Sequence, residues 1–232
     1  ASMLIKEGWS VKRLHREILT SSTYRMGGAF NPAAAELDPD NLLRWRWSRR
    51  RLEAESLRDS LLKLGGKFDR KMGGQLLAAN ARAYVTGTAS KQNTYDAPRR
   101  SVYLPVLRSA VYDVLQSFDF PDPSVVNGNR PTTTIPSQAL VMMNSTLVDQ
   151  AAQGLANSLL SSDTADRLAR IRQAFLQVLG RLPADREESH WGSMLTKLEE
   201  HYREAGEKEP GKKAWRSFAR VLLSSNEFIY VE

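Results

Sequence analysis

The 232 residues contain no cysteine, so within them no disulfide, thiolate-bound metal, iron–sulfur cluster or haem attached through a CxxCH motif can form. The same absence fits a reducing or an oxidising compartment and leaves residence open. No run approaches the roughly 18 consecutive apolar residues of a membrane span. The start, Ala1-Ser2-Met3-Leu4-Ile5-Lys6-Glu7, lacks the apolar region of a secretory leader. Ala1-Ser2 ahead of Met3 has the look of a cloning scar, however, so residence does not follow from that. His15, His190 and His201 stand far apart, outside any H-x-x-x-H or HExxH arrangement, and no metal site is expected. There is no GxSxG elbow, no GxxxxGK(S/T) loop and no GxGxxG turn, so nucleophilic hydrolase, nucleotide and dinucleotide readings lack their usual marks. Whether the chain is an enzyme is left uncertain on these grounds. Internal repeats and low-complexity tracts are also absent.

What is present is an ordinary globular balance, 41% hydrophobic and 25% charged residues, suited to a buried core. The 33 Lys and Arg against 26 Asp and Glu give a formal charge of +7. That excess attracts anionic partners over a Debye length of about 8 Å at physiological salt, and nucleic acid, acidic glycan and acidic protein all qualify. A charge of this size also serves solubility alone.

Helical spacing recurs along the chain. Val11, Leu14, Ile18 and Leu19 after Ser10 predict a helix over 11–22. Asp38-Pro39 predicts a short helix through Leu43. Ala54, Leu57, Leu61 and Leu64 predict one over 49–64 that stops at Gly65-Gly66. The stretch 67–100 carries a weak pattern, Ser101 to Leu104 reads as a short strand, and Leu107, Val111, Leu115 and Phe118 resume a stripe. Helices then follow from Pro136, from a Ser145 cap, through Phe175 to Gly180, through Trp191 to Tyr202, and through Trp215 to Leu222, with 204–213 as a surface loop. The predicted fold is all-α, an irregular multi-helix domain with long loops and at most a short β-hairpin, near Tyr103. Residues 1–232 read as a single helical domain with a sub-boundary near 160–165, cut from a larger protein.

Two segments carry chemistry. Arg44, Trp45, Arg46, Trp47, Arg49 and Arg50 fall in one short run that can stack on flat ligands and fork onto phosphate, sulfate or carboxylate. The bland alternative is that the tryptophans fill a helix junction and the arginines pair with acids. Downstream, Leu52, Glu55, Asp59 and Leu62 share a helical face, placing two carboxylates one turn apart. Arg51 and Arg58 at helical spacing, with the distant Arg130, can neutralise them, which predicts a buried charge network of Arg51, Glu55, Arg58, Asp59 and Arg130. Acid–base chemistry on a glycan is the competing use of two carboxylates, although residues on adjacent turns usually point the same way.

Many separated motifs agree in order with one family: Trp9-Ser10-Val11-Lys12-Arg13-Leu14-His15, Thr23-Tyr24-Arg25, Asp38-Pro39-Asp40-Asn41, the run from Arg50 to Asp59, and Met72-Gly73-Gly74. Arg100-Ser101-Val102-Tyr103, Phe118-Asp119, Arg130, Gln138-Ala139-Leu140 with Asn144, Gly180-Arg181-Leu182-Pro183 and Ser225-Asn226-Glu227-Phe228 continue the agreement. Together they resemble the planctomycete C-terminal domain of unknown function found in secreted cytochrome c-type proteins. That resemblance implies a signal peptide, a cytochrome c module and a second planctomycete domain elsewhere in the polypeptide, extracytoplasmic residence, and haem c outside this segment, which itself holds no cofactor. It carries no catalytic residues. Members resemble neighbours of sulfatase-like proteins suspected of serving polysaccharide breakdown, so anionic glycan and other domains of the same polypeptide are the expected partners and nucleic acid is disfavoured. The expected role is a non-catalytic accessory or interaction domain, against the alternatives of a carboxylate-using glycan enzyme and a nucleic-acid-binding basic domain.

Overall fold

A computed structural model describes residues 1–74, 76, 96–106, 111–162 and 166–231. Among them it has eleven α-helices and one two-stranded sheet, so the protein is mostly α-helical. The chain divides into two compact units, Ala1–Arg50 with Tyr230–Glu232, and Arg51–Ile229. The stretch 160–165 falls within the span of the second. No helix among the described residues is long and apolar enough to cross a membrane.

The first unit contains α1 (Ser2–Lys6), α2 (Val11–Thr20) and α3 (Pro32–Leu37). Ser10 caps α2 by accepting from the Arg13 amide at 3.4 Å. Asn31 caps α3 by accepting from the Ala34 amide at 3.2 Å, with Pro32 at the first helical position. The helix expected after Asp38-Pro39 does not form. Asp38 closes α3 instead, and its carboxylate accepts from the Leu42 and Leu43 amides at 2.9 and 2.7 Å. Those amides are taken by a side chain, and Asn41 and Arg44 sit at φ 55° and 56°, a left-handed conformation that no α-helix accommodates.

In the second unit, α4 (Ala54–Leu64) starts later than its stripe suggests, because Arg50–Arg51 ahead of it is extended as β1. Ser101–Tyr103 is a 3₁₀ turn rather than a strand. Further on lie α5 (Asp113–Ser117), α6 (Pro136–Asn144), α7 (Thr146–Leu160), α8 (Arg167–Leu179), α9 (Asp185–Glu204), α10 (Pro210–Leu223) and α11 (Asn226–Ile229). Among the described residues the stripe from Leu107 is helical over α5, and 107–110 lie outside the described residues, as do 75 and 77–95 of the weakly patterned stretch. Ser145 caps α7 through the Leu147 amide, and Asp166 caps α8 through the Leu168 and Ala169 amides. Gly180 ends α8 at φ 72°, the left-handed cap that glycine adopts without a Cβ clash. The expected 204–213 loop is shorter, since Pro210 starts α10.

The core lies where α7, α8, α9 and α10 meet. Phe218 on α10 is fully buried, with the rings of Trp191, Trp215 and Phe175 centred 4.7, 5.5 and 6.5 Å away. Arg181 forks onto Glu187 and Glu227 beside the α8–α9 turn, and its hydrogen bonds hold the Glu187 carboxyl down at about 2. Along α7, Ala151, Ala152 and Ala156 are buried, so the helix presents a shallow face to α4. At the crossing the backbones touch: a Cβ on Gly65 would stand 2.9 Å from the Ala151 Cα, and one on Gly154 would overlap the Gly65 carbonyl.

Gly154→Ala must therefore push α4 away from α7, and overpacking of this kind typically costs about 1–3 kcal/mol. Chemical denaturation should register that loss, whereas Ser158→Ala, on the exposed side of the same helix, should shift stability by less than about 0.5 kcal/mol. Equal effects would mean that the glycine contact is not limiting.

Candidate functional site

α4 carries charges on several faces, and each is tied to a different part of the second unit. Arg58 is 1% exposed. Its Nη1 donates to the Arg99 carbonyl at 2.9 Å and the Ser101 Oγ at 3.3 Å, and its Nη2 to the Ala97 carbonyl at 2.7 Å. The guanidinium lies 5.9 Å from the Tyr112 ring centre. Burial pushes its pKa below the ordinary arginine value, against the opposing pull of Tyr112 and Asp59. One Asp59 oxygen accepts from the Ser101 amide and hydroxyl at 2.8 and 2.7 Å. Ser101 therefore joins Arg58 to Asp59, whose oxygen is itself 3.7 Å from Nη1.

Glu55 meets Arg130 in a two-pronged pair at 2.8 and 2.8 Å, the geometry in which a planar guanidinium recognises a carboxylate best. Glu53 adds a 3.4 Å contact to the same arginine. Burial raises the Glu55 pKa, but the Arg130 hydrogen bonds and charge outweigh it, and the group sits below its ordinary value of 4.5. Arg51 goes elsewhere. It pairs with Asp119 at 2.6 Å, donates to the Thr133 carbonyl, and lies over the Phe118 ring. Asp119 also accepts from the Thr133 amide at 2.7 Å. Burial would raise its pKa, yet Thr133 and Arg51 together hold it low.

The five residues expected to form one network thus occupy three separate clasps. Arg51 and Arg58 are enclosed, whereas the Glu55 and Asp59 side chains remain 24% exposed each. Ser101, Asp119, Thr133 and the carbonyls of Ala97 and Arg99 complete the clasps. Spacing along one helix could not find them, because they arrive from 39 to 82 positions away in sequence. Glu55 and Asp59 also stand on the rim of a groove of about 340 Å³ whose apolar wall includes Val102, Leu104, Val111, Leu115 and Phe120. Among the described residues no group of three or more His, Asp or Glu is placed to hold a metal ion.

In the first unit the Arg and Trp run forms a stitched loop. Asn41 accepts from the Arg46 amide at 3.2 Å and donates to the Arg46 carbonyl at 2.9 Å and the Ser48 hydroxyl at 3.3 Å. Trp45 Nε1 donates to the Asp38 carbonyl at 2.8 Å, and its ring meets Phe30 edge-on at 5.9 Å. Arg46 lies over both rings, at 4.9 and 5.4 Å, and Arg50 lies over Trp47 at 5.2 Å. Arg44, Arg46, Trp47 and Arg50 line one cleft of about 300 Å³. Trp45 and Arg49 are not among its lining residues, and Arg49 has a partner of its own.

Fold and clasps define a mostly helical protein whose Glu55, Asp59 and Asp119 carboxylates are engaged by its own chain and whose arginine cleft lies in the first unit. Residues 1–195 match the family PSD1, described as a protein of unknown function (DUF1553), and the chain belongs to that family. The match ends inside α9, although α10 supplies Phe218 and much of the core. No curated protein and no solved structure matches the chain.

Removing Arg58 leaves buried acceptors without a donor, so Arg58→Met should lower stability by about 3–5 kcal/mol. Glu55→Gln breaks a half-exposed pair and should cost no more than about 1 kcal/mol. Because the folded Glu55 value lies below the unfolded one, its contribution is complete above about pH 5 and is lost as pH falls through the folded value. Urea melts of both variants at pH 7 and pH 3 check the order and the sign. A Glu55→Gln deficit that grows toward pH 3 would contradict them.

Proposed function

We propose that this chain is a non-catalytic accessory or interaction domain of an extracytoplasmic cytochrome c-type protein, with haem c held elsewhere in the polypeptide. One observation carries the non-catalytic part. The two carboxylates best placed for acid–base work, Glu55 and Asp59, already accept from Arg130 and from Ser101, and so act as ties between α4 and distant loops. A general acid needs a pKa raised toward its operating pH, and Glu55 is shifted the other way.

The cytochrome context, the extracytoplasmic residence and the link to anionic polysaccharide are supported by the ordered resemblance of motifs from Trp9 to Phe228. Other domains of the same polypeptide are the proposed partners. The groove of about 340 Å³ beside Glu55 and Asp59 favours a second reading, a glycan-acting enzyme, because concave apolar sites with a few convergent polar groups are the usual seats of catalysis.

Mass-spectrometric analysis of sulfated and uronic oligosaccharides incubated with the chain separates the two. No cleavage is expected. Turnover abolished by Glu55→Gln or Asp59→Asn, with the fold intact by circular dichroism, would overturn the accessory reading. For the cytochrome context, the expected result is a Soret band that survives denaturation and extraction in the full-length parent, beside a colourless isolated chain. A parent that binds no haem would remove that part.

A further inference from the structure

We propose that the cleft formed by Arg44, Arg46 and Arg50 in the first unit is a binding site for a sulfate or phosphate ester group on a molecule of about monosaccharide size. The inference rests on the interaction-domain reading and gives it a ligand class. Its walls carry three guanidinium groups, the indole of Trp47 and the polar side chains of Asn41 and Ser48, with no carboxylate among them. Among the described residues no carboxylate is ion-paired with Arg44, Arg46 or Arg50. Three like charges around one concavity repel, and an oxyanion placed there relieves that repulsion.

The loop holds these groups in place before any ligand arrives. Arg46 lies over the Trp45 and Phe30 rings, and Arg50 lies over Trp47. Ring contacts of this kind do not use up the guanidinium N–H donors, which stay available to a tetrahedral oxyanion. Asn41 fixes the Arg46 backbone on both its amide and its carbonyl. Asp38, with its carboxylate occupied by the Leu42 and Leu43 amides, maintains the turn behind them. Arg44 is presented from a left-handed position, φ 56°, which a side chain adopts only where the surrounding loop enforces it. A volume of about 300 Å³ lies at the small end of ligand pockets, which suits one ring bearing one charged group and not a long polymer segment enclosed on all sides.

Isothermal titration and tryptophan fluorescence with glucose 6-sulfate, glucose 6-phosphate, inorganic sulfate and glucose, each at low and at physiological salt, test the site. The charged probes should bind and glucose should not, with affinity falling as salt rises. Whichever ester binds more tightly identifies sulfate or phosphate as the natural source. Arg44→Ala and Arg46→Ala should each weaken binding about tenfold or more, since a hydrogen bond to a charged group is lost. Arg46→Lys, which keeps the charge and loses the fork, should recover only part of it. Arg172→Ala removes the same charge from the second unit, where Arg172 pairs with Glu188, and should bind as the parent does. Absence of binding, or equal weakening in Arg172→Ala, overturns the site and leaves the accessory reading intact. Binding followed by release of free sulfate or phosphate overturns the non-catalytic reading and leaves the site intact.

Discussion

A buried guanidinium cannot shed its charge, so the Arg58 side chain obliges the second unit to surround it with oxygen. It is 1% exposed, and the Ala97 and Arg99 carbonyls and the Ser101 hydroxyl turn inward to meet it. That requirement shapes the backbone. Ala97 and Arg99 face α4 with their carbonyls, Ser101 hands its amide and hydroxyl to Asp59, and the chain closes into a 3₁₀ turn at Ser101–Tyr103. Arg99 continues the pattern by donating to the Lys71 and Gly73 carbonyls, while the Asp69 amide donates to the Pro98 carbonyl. The two described ends of the stretch 67–100 are thereby joined at a base that Arg58 organises.

α4 is consequently held from two sides by unlike forces. Toward α7 the constraint is steric, since Gly65 and Gly154 let the backbones touch where any larger side chain would part them. Toward the loops it is electrostatic, through Arg58, through Asp59 and through the Glu55–Arg130 pair. A helix fixed in this way is a good platform and a poor source of mobile acid–base groups. The first unit is built differently, since none of its helices buries a residue and its order resides in the hydrogen bonds of Asp38 and Asn41 and in rings stacked by arginines.

Much of the second unit was legible because its signals are local. Ser145, Gly180 and the apolar stripes from Leu147 to Leu222 lie within a few residues of the helices they define, and the helices stand where those signals place them. The placement of Glu55 and Asp59 on one helix was legible for the same reason, whereas the pairing of Glu55 with Arg130 spans 75 positions and has no local signal. Asp38 misled because its carboxylate can cap a helix or close a turn with the same amide bonds, and residues farther along decide which. Arg51 was grouped with Glu55 by spacing, yet β1 extends the backbone there, and spacing of four has helical meaning only inside a helix. The enclosure of Arg58 left no mark in sequence, since its acceptors are main-chain carbonyls that any residue supplies.

Amide hydrogen exchange in Arg58→Met tests directly whether this one guanidinium organises the segment around it. The account predicts that the Ser101 and Asp69 amides lose protection selectively, while amides in α7 and α10 still exchange as in the parent after allowance for the lower global stability. Ser101 and Asp69 amides as protected in the variant as in the parent would contradict it.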